Sequence, residues 1–334
     1  MLDAIDLFAG PGGWDVAAAR LGLYAHGIEF DSTACQTRRA AGLSTTEGDV
    51  RDYGPGDFPA RGLIASPPCQ PFSMSGKGAG RAALDTVESL ARAMARREPV
   101  DLSGFNDSRT ALVLEPLRWA LEAIDLGRPY EWLAFEQVPT VRPVWETFAE
   151  LLRAEGYSVE VGNLQAEQYG VPQTRRRAIL VARLGTPVAL PEPTHSRYYS
   201  RAPERLDAGV RPWVSMAAAL GWGLAWRPSP TITGGGTETG GAEPIAKLAR
   251  YSSDPGWTRR GVRAVFGHAA ASFQLEDEGT TARLTIQEAS RLQSFPTRFP
   301  WHGNQGRQFL QVGNAVPPLL AEAVLAAVTR KETS

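Results

Sequence analysis

The 334-residue chain has little cysteine, little lysine and almost no net charge. Two cysteines, Cys35 and Cys69, are too few for a disulfide scaffold and point to a reducing, cytoplasmic setting. The four histidines, His26, His195, His268 and His302, show no metal-ligand spacing, and no metal is expected. No run of eighteen apolar residues occurs, so no membrane span is expected. The opening Met1–Asp6 carries acids where a secretory signal carries basic residues. With 43% hydrophobic and 21% charged residues, a largely disordered chain is excluded, and the length suits one large or two medium domains. The formal charge of −1, taken alone, argues against a nucleic-acid partner.

The average conceals an asymmetry. Residues 1–157 hold 15 basic and 22 acidic residues, a net of −7, whereas residues 158–310 hold 18 and 12, a net of +6. A basic half is consistent with a module that faces a polyanion, or with scattered solvated charges. Of the 35 basic residues only Lys77, Lys247 and Lys331 are lysines, and Arg forks suit phosphates and base edges.

The acidic half reads as α/β. Ala4–Phe8 is a short apolar strand that ends in Ala9-Gly10-Pro11-Gly12-Gly13, and a helical pattern follows from Trp14 to Leu21. Further strands are predicted at Tyr24–Ile28, Thr45–Glu47, Leu63–Ala65, Trp132–Phe135, Tyr157–Leu164 and Ala178–Ala182, with helices at Ala111–Leu126 and Val144–Glu155. Such alternation predicts a mostly parallel sheet covered by helices on both faces, with ligands at the C-terminal strand ends. There, Gly10, Gly12 and Gly13 let backbone N–H groups approach a ligand. Glu29 can accept two ribose hydroxyls, Phe30 can stack on a base, and Asp49 can accept from an adenine amino group. Together they describe a nucleoside-containing cofactor.

The sharpest feature is Pro67-Pro68-Cys69-Gln70-Pro71-Phe72-Ser73. Prolines fix the backbone on either side of Cys69, and such a loop can hold a thiolate outward. The plainer reading of a cysteine is a small buried hydrophobe, and Cys35, in a helical stretch, is read that way.

At these residues the chain resembles the DNA cytosine-5 methyltransferases. Asp6–Gly13 looks like their first signature, Ser66–Ser73 their nucleophile loop, Glu136-Gln137-Val138 their Glu-Asn-Val element, and Tyr169–Arg177 their Gln-x-Arg-x-Arg element. Arg283–Thr285 with Glu288-Ala289 and Leu292–Pro296 is similar to a late structural motif, and Gln311–Pro318 to the final one. All six follow the family's order and span residues 4 to 318. The resemblance implies a Rossmann-like methyltransferase sheet plus a smaller irregular target-recognition domain. The expected division is 1–184 for catalysis and cofactor, 185–282 for target recognition, and 283–334 for motifs returning to the catalytic domain.

It also implies a chemistry. Cys69 would attack carbon 6 of cytosine, Glu136 would hold or protonate ring N3, Arg177 would meet the 2-oxo group, and Arg175 would lie beside the nucleophile loop. S-adenosylmethionine would be the methyl donor, with Phe8, Pro11, Gly13, Glu29, Phe30, Asp49, Val50, Pro68, Leu112 and Asn314 carried over as its contacts. The base that removes the carbon 5 proton is not identified. A target within duplex DNA would have to be flipped out.

The chain departs from the pattern twice. Gln137 stands where the family has Asn, one methylene longer, at a position expected to pin the loop beneath the cysteine. About thirty residues separate Gly76-Lys77 from Asp107-Ser108-Arg109, and within them Arg81–Glu98 reads helical; this insert either contacts DNA through Arg81, Arg92, Arg96 and Arg97 or is a surface excursion. Expected DNA contacts are Gln70 and Ser73 in the nucleophile loop, Thr231 and Thr233 in a Gly-rich segment, and Arg259 and Arg260, beside Arg263. The expected protein is a monomeric bacterial enzyme acting on a short double-stranded DNA target, with a cognate restriction endonuclease as a further partner or none. Transfer to transfer RNA, and an inactive DNA-binding relative, stand as alternatives.

Overall fold

The computed structural model describes residues 2–68, 77–101, 109–220, 227–233 and 284–330. It divides into two compact units, the first made of 1–164, 176–191 and 321–334, the second of 165–175 and 192–320.

The first unit is built on seven strands: β1 (Leu2–Leu7), β2 (Ala25–Glu29), β3 (Ser44–Glu47), β4 (Ala60–Ala65), β5 (Trp132–Gln137), β6 (Tyr157–Gln165) and β7 (Arg176–Leu184). They lie in the order β3-β2-β1-β4-β5-β7-β6. β1 pairs in parallel with both β2 and β4, and β5 extends the parallel set beside β4. The chain therefore winds outward from β1 to β3, returns, and continues on the other side through β4 and β5. The reversal lies between β1 and β4, and a crevice opens outside the strand ends there. β7 runs antiparallel to β5, so its first residues lie beside the last residues of β5.

Both sets of alternating side chains are buried in the central strands: Ile5 and Leu7 but also Ala4 and Asp6 in β1, Leu63 and Ile64 in β4, Leu133 and Ala134 in β5. That is the pattern of a parallel sheet covered on each face. Five helices come from the connections: α1 (Gly13–Arg20), α2 (Ser32–Ala40), α3 (Lys77–Ala95), α4 (Glu115–Asp125) and α5 (Arg142–Ala154). Asp31 starts α2 by accepting from the backbone N–H groups of Thr33 and Ala34 at 2.9 and 3.0 Å. Proline in the first turn of α4 and of α5 fits a position whose N–H has no helical partner. Leu117, Trp119, Trp145 and Phe148, all fully buried, join the strand side chains in one core.

α3 carries the insert. Its Val87 and Ala91 are fully buried in that core. Arg92 pairs with Glu150, Arg96 with Glu98, and Arg97 with Asp125 and Glu155. The described part of the insert is thus integrated into the first unit, and these three arginines already have carboxylate partners.

The second unit departs from the expected division. Residues 165–175 and 284–320 belong to it, and only the chain from Ala321 on is part of the first unit. It contains α6 (Met216–Leu220), α7 (Ile286–Leu292) and α8 (Gln305–Asn314). A capping box, with Thr285 and Glu288 satisfying each other's backbone N–H, begins α7. α9 (Pro318–Thr329) follows α8 after Ala315–Pro317. Gln305–Thr329 is apolar enough by composition to cross a membrane, but it is two helices with a break, and 61% of its apolar window is buried.

Buried glutamines tie the second unit together. Gln173 accepts from the Ile232 N–H at 2.9 Å and donates to Gln293, which donates to the carbonyls of Val312 and Ala315 at 3.0 and 2.8 Å. Segments far apart in sequence are thereby tied within one unit.

Glu167, 2% exposed in the turn Ala166–Tyr169, has its carboxyl pushed up to about 7 by burial. Its folded value lies above the ordinary 4.5, so the stability it contributes is full below about pH 4.5 and is lost as pH rises through about 7. Glu167→Gln is expected to raise the melting temperature at pH 8, by about 2–4 °C per kcal/mol regained, and to change it little at pH 5. Thermal melts at both pH values check this; equal shifts at the two would contradict it.

Candidate active site

The glycine-rich turn leaves β1 with Phe8 at φ 59°, a left-handed conformation that costs energy for a bulky residue. Gly10 (φ 53°) and Gly12 (φ 99°) continue the turn, and α1 begins at Gly13. Glu29, the last residue of β2, holds this turn: its Oε2 accepts from the Gly10 N–H and its Oε1 from the Asp31 N–H, both at 2.7 Å. Burial pushes its carboxyl above the usual range, while the two N–H groups oppose the shift. A carboxylate has about four acceptor sites, so two remain, as many as a ribose diol needs. Phe30, next along, is 76% exposed, which leaves an aromatic face open to a base. Asp49 follows β3, accepts from the Arg51 N–H at 2.9 Å, and is ion-paired to the Arg51 guanidinium at 2.5 Å. Those hydrogen bonds from Arg51 lower its pKa and keep it an acceptor. Val50 is buried, and Pro11 and Gly13 are buried in the turn. The residues present therefore suit an adenosine-containing cofactor.

Across the crevice, Ser66 follows β4 and accepts from Trp14 Nε1 at 2.9 Å, joining the start of α1 to the start of the segment that leads to Cys69. Pro67 and Pro68 are described; Cys69, Gln70 and Ser73 lie outside the described residues. Pairing of Ala65 with Phe135 puts Glu136 and Gln137 of β5 at the same sheet edge. Gln137 Nε2 donates to the Pro67 carbonyl at 2.6 Å, two residues before Cys69, and its Oε1 accepts from the Val138 N–H at 2.5 Å. The extra methylene does not break the tie: the glutamine reaches the loop from beneath.

Glu136, 6% exposed, is paired with Arg177, whose Nε lies 2.7 Å from Oε1. Arg177 also donates to the Arg176 carbonyl at 2.7 Å. The antiparallel entry of β7 brings this guanidinium to the end of β5. A carboxyl group and a guanidinium locked side by side can meet the N3 and 2-oxo edge of a pyrimidine together.

The remaining expected site residues have the following surroundings. Gln173 and Arg175 belong to the second unit and are buried. Arg175 donates to the carbonyls of Ile232 and Gly313 at 3.2 and 2.9 Å and braces that unit. Asn314 ends α8 in the second unit with an exposed side chain, and Leu112 is half-buried in the turn before α4. Thr231 spends its hydroxyl proton on the Thr174 carbonyl at 2.6 Å, and Thr233 is exposed. Arg259, Arg260 and Arg263 lie outside the described residues. Cys35 is fully buried, its thiol donates to the Glu29 carbonyl at 3.3 Å, and burial pushes it up to about 11. The contributions of Trp14 and Ser66 escaped sequence reading, since neither residue type marks a hydrogen bond across a crevice.

The family model for C-5 cytosine-specific DNA methylases matches residues 2–204 and 237–330. The chain belongs to this family and is a DNA cytosine-5 methyltransferase. It is 28% identical over 366 residues to the type II methyltransferase M1.HphI of Haemophilus parahaemolyticus, covering 100% of this chain and 88% of that protein. It is 29% identical over 343 residues to M.AplI of Arthrospira platensis, covering 98% and 85%. Among solved structures, the S. pombe Dnmt2 methyltransferase is similar in fold, with a TM-score of 0.59 at 17% identity over 98% of each chain. The Entamoeba histolytica methyltransferase EhMeth gives 0.60 at 14%, again over 98% of each.

The Gln137 hook makes a prediction. Gln137→Ala releases the Pro67 carbonyl and is expected to lower kcat by about tenfold or more, as loosening of a reacting group's position does, while leaving cofactor affinity unchanged. Single-turnover methylation and calorimetry measure the two; an unaltered kcat would show that the loop does not need the hook.

Proposed function

We propose that the chain methylates carbon 5 of cytosine within a short double-stranded DNA sequence, using S-adenosylmethionine, with Cys69 as nucleophile. The Glu136–Arg177 pair at the end of β5, one strand from the loop that carries Cys69, is the observation that supports this most directly. Glu29, Phe30 and Asp49, with the Gly10–Gly13 turn, would hold the cofactor, with Phe8, Pro11, Val50, Pro68, Leu112 and Asn314 as further contacts. S-adenosylmethionine, when bound, supplies an electrophilic methyl group.

Carbon 5 of cytosine is a poor nucleophile. Addition of the Cys69 thiolate to carbon 6 turns the ring into an enamine, and Glu136 at N3 stabilises that form by sharing or donating a proton. Arg177 holds the 2-oxo group and keeps the Glu136 carboxyl in place. Once carbon 5 has gained the methyl group, loss of its proton to a base and departure of the Cys69 thiolate restore the aromatic ring. Since both faces of a stacked base are covered, the target must leave the helix first. Gln70 and Ser73 in the loop, and Thr231, Thr233, Arg259 and Arg260 in the basic part, are proposed to contact the DNA.

The relatives are bacterial type II methyltransferases, which supports a cytoplasmic role in a restriction–modification system, with a cognate endonuclease as partner and a monomer as the working form. Cys69→Ser should abolish transfer and leave cofactor affinity close to the original, and methylation by the variant would remove the nucleophile assignment. Labelled methyl donor offered with duplex DNA or with transfer RNA tests the substrate class, and label in RNA alone would overturn the reading. Bisulfite sequencing of DNA from expressing cells then reads out the target.

A further inference from the structure

The floor of the glycine-rich turn holds an ion pair that the chemistry above does not use. Arg38 of α2 is fully buried and Asp15 of α1 is 3% exposed. Their forks meet face to face, Nη1 to Oδ2 at 2.7 Å and Nη2 to Oδ1 at 2.8 Å. The other donors of Arg38 are also engaged: Nε with Thr45 Oγ1 at 3.0 Å, Nη2 with the Ser44 carbonyl at 3.0 Å, and Nη1 with the Ala9 carbonyl at 3.3 Å. All five N–H groups of the guanidinium thus have acceptors drawn from α1, the turn and the start of β3.

The contact with Ala9 matters most. The Ala9 carbonyl and the Gly10 N–H belong to one peptide unit. Arg38 holds it at the oxygen, and Glu29 holds it at the nitrogen. A peptide plane gripped at both ends cannot rotate without breaking one grip, and with φ 53° at Gly10 the next rotation is the one that shapes the turn. The space for the guanidinium is made by Gly27, where a Cβ would come within 2.0 Å of Arg38 Nη2. Beneath the pair lies Asp6, fully buried, with neither oxygen meeting an N–H or hydroxyl donor. Burial, then the neighbouring Asp15, push its carboxyl well above the usual range.

We infer that Arg38, through its pair with Asp15, is a positioning residue for the cofactor, locking the Ala9–Gly10 peptide in the orientation that receives it. The inference rests on the reading of the turn as the cofactor's seat. The cost of ordering the turn is met at folding, so cofactor affinity carries the benefit. Truncation of either partner would leave a buried charge without its counterpart, and the turn would relax.

The test uses the full chain, S-adenosylmethionine as probe, and the variants Arg38→Lys, Asp15→Asn and Gly27→Ala. Gly27→Ala leaves both charges in place and presses on the guanidinium at 2.0 Å and on Ala9 Cβ at 2.7 Å, so it loosens the grip at the Ala9 carbonyl if a charge variant fails to fold. Each folded variant is expected to raise the cofactor KM and Kd by roughly tenfold, with kcat at saturating cofactor and the KM for DNA within about twofold of the original. The double variant Arg38→Lys with Asp15→Asn is expected to be little worse than either single change, because the two act as one unit. Folded variants with unchanged cofactor Kd would overturn the inference, as would a loss of kcat with both KM values unmoved, the mark of a smaller active fraction. Failure of the unaltered protein to bind S-adenosylmethionine would instead remove the reading of the pocket, and the inference with it.

Discussion

The constraint on which the first unit depends is that β1 has parallel neighbours on both sides. Every backbone N–H and C=O within the sheet must find a partner, and a central strand finds them only if the chain leaves, pairs on one side, and returns to pair on the other. That return opens the crevice between β1 and β4. It also sets the strand ends of β2, β1, β4 and β5 in one row, so that Glu29, the glycine-rich turn, the Ser66 loop and Glu136 face a common space without any long-range design of their own. Side chains chosen for chemistry are carried there by side chains chosen for packing.

This is why much of the first unit was legible in the amino-acid sequence. Strands such as Ala4–Phe8 and Trp132–Phe135 are short apolar runs that stop at a glycine or a carboxylate, and they appear within one to three residues of the expected bounds. Glu29, Phe30 and Asp49 could be ordered because each ends or follows a strand. What stayed hidden has physical reasons. Residues such as Asp15 and Arg38 look in one dimension like the solvated face of a helix, since burial of a charge is decided by a partner on another element. Arg175 and Arg177 share one motif, yet the division between positions 175 and 176 assigns them to different units. The reach of Gln137 depends on the height of the loop above it, which no local pattern encodes.

The second unit follows another logic. Its described residues hold few regular elements, and much of its interior is polar: Gln173, Arg175, Gln293 and the carbonyls of Leu292, Val312, Gly313 and Ala315. Amides and guanidinium serve as cross-links among irregular segments, whose backbone groups would otherwise be buried without partners. Motifs that are distant in sequence, at 173 and at 293, are thereby neighbours. A division drawn from sequence order assigns both to the catalytic domain, whereas they sit together in the second unit.

The contrast between the two sulfur atoms has a practical side. Cys35 is sealed between α2 and the end of β2, its proton committed to a carbonyl and held to about 11. A soft electrophile at neutral pH therefore meets a chain of 334 residues with a single competing thiol, that of Cys69. Because burial closes Cys35, a dye, a spin label or a covalent inhibitor aimed at Cys69 requires no removal of a second cysteine.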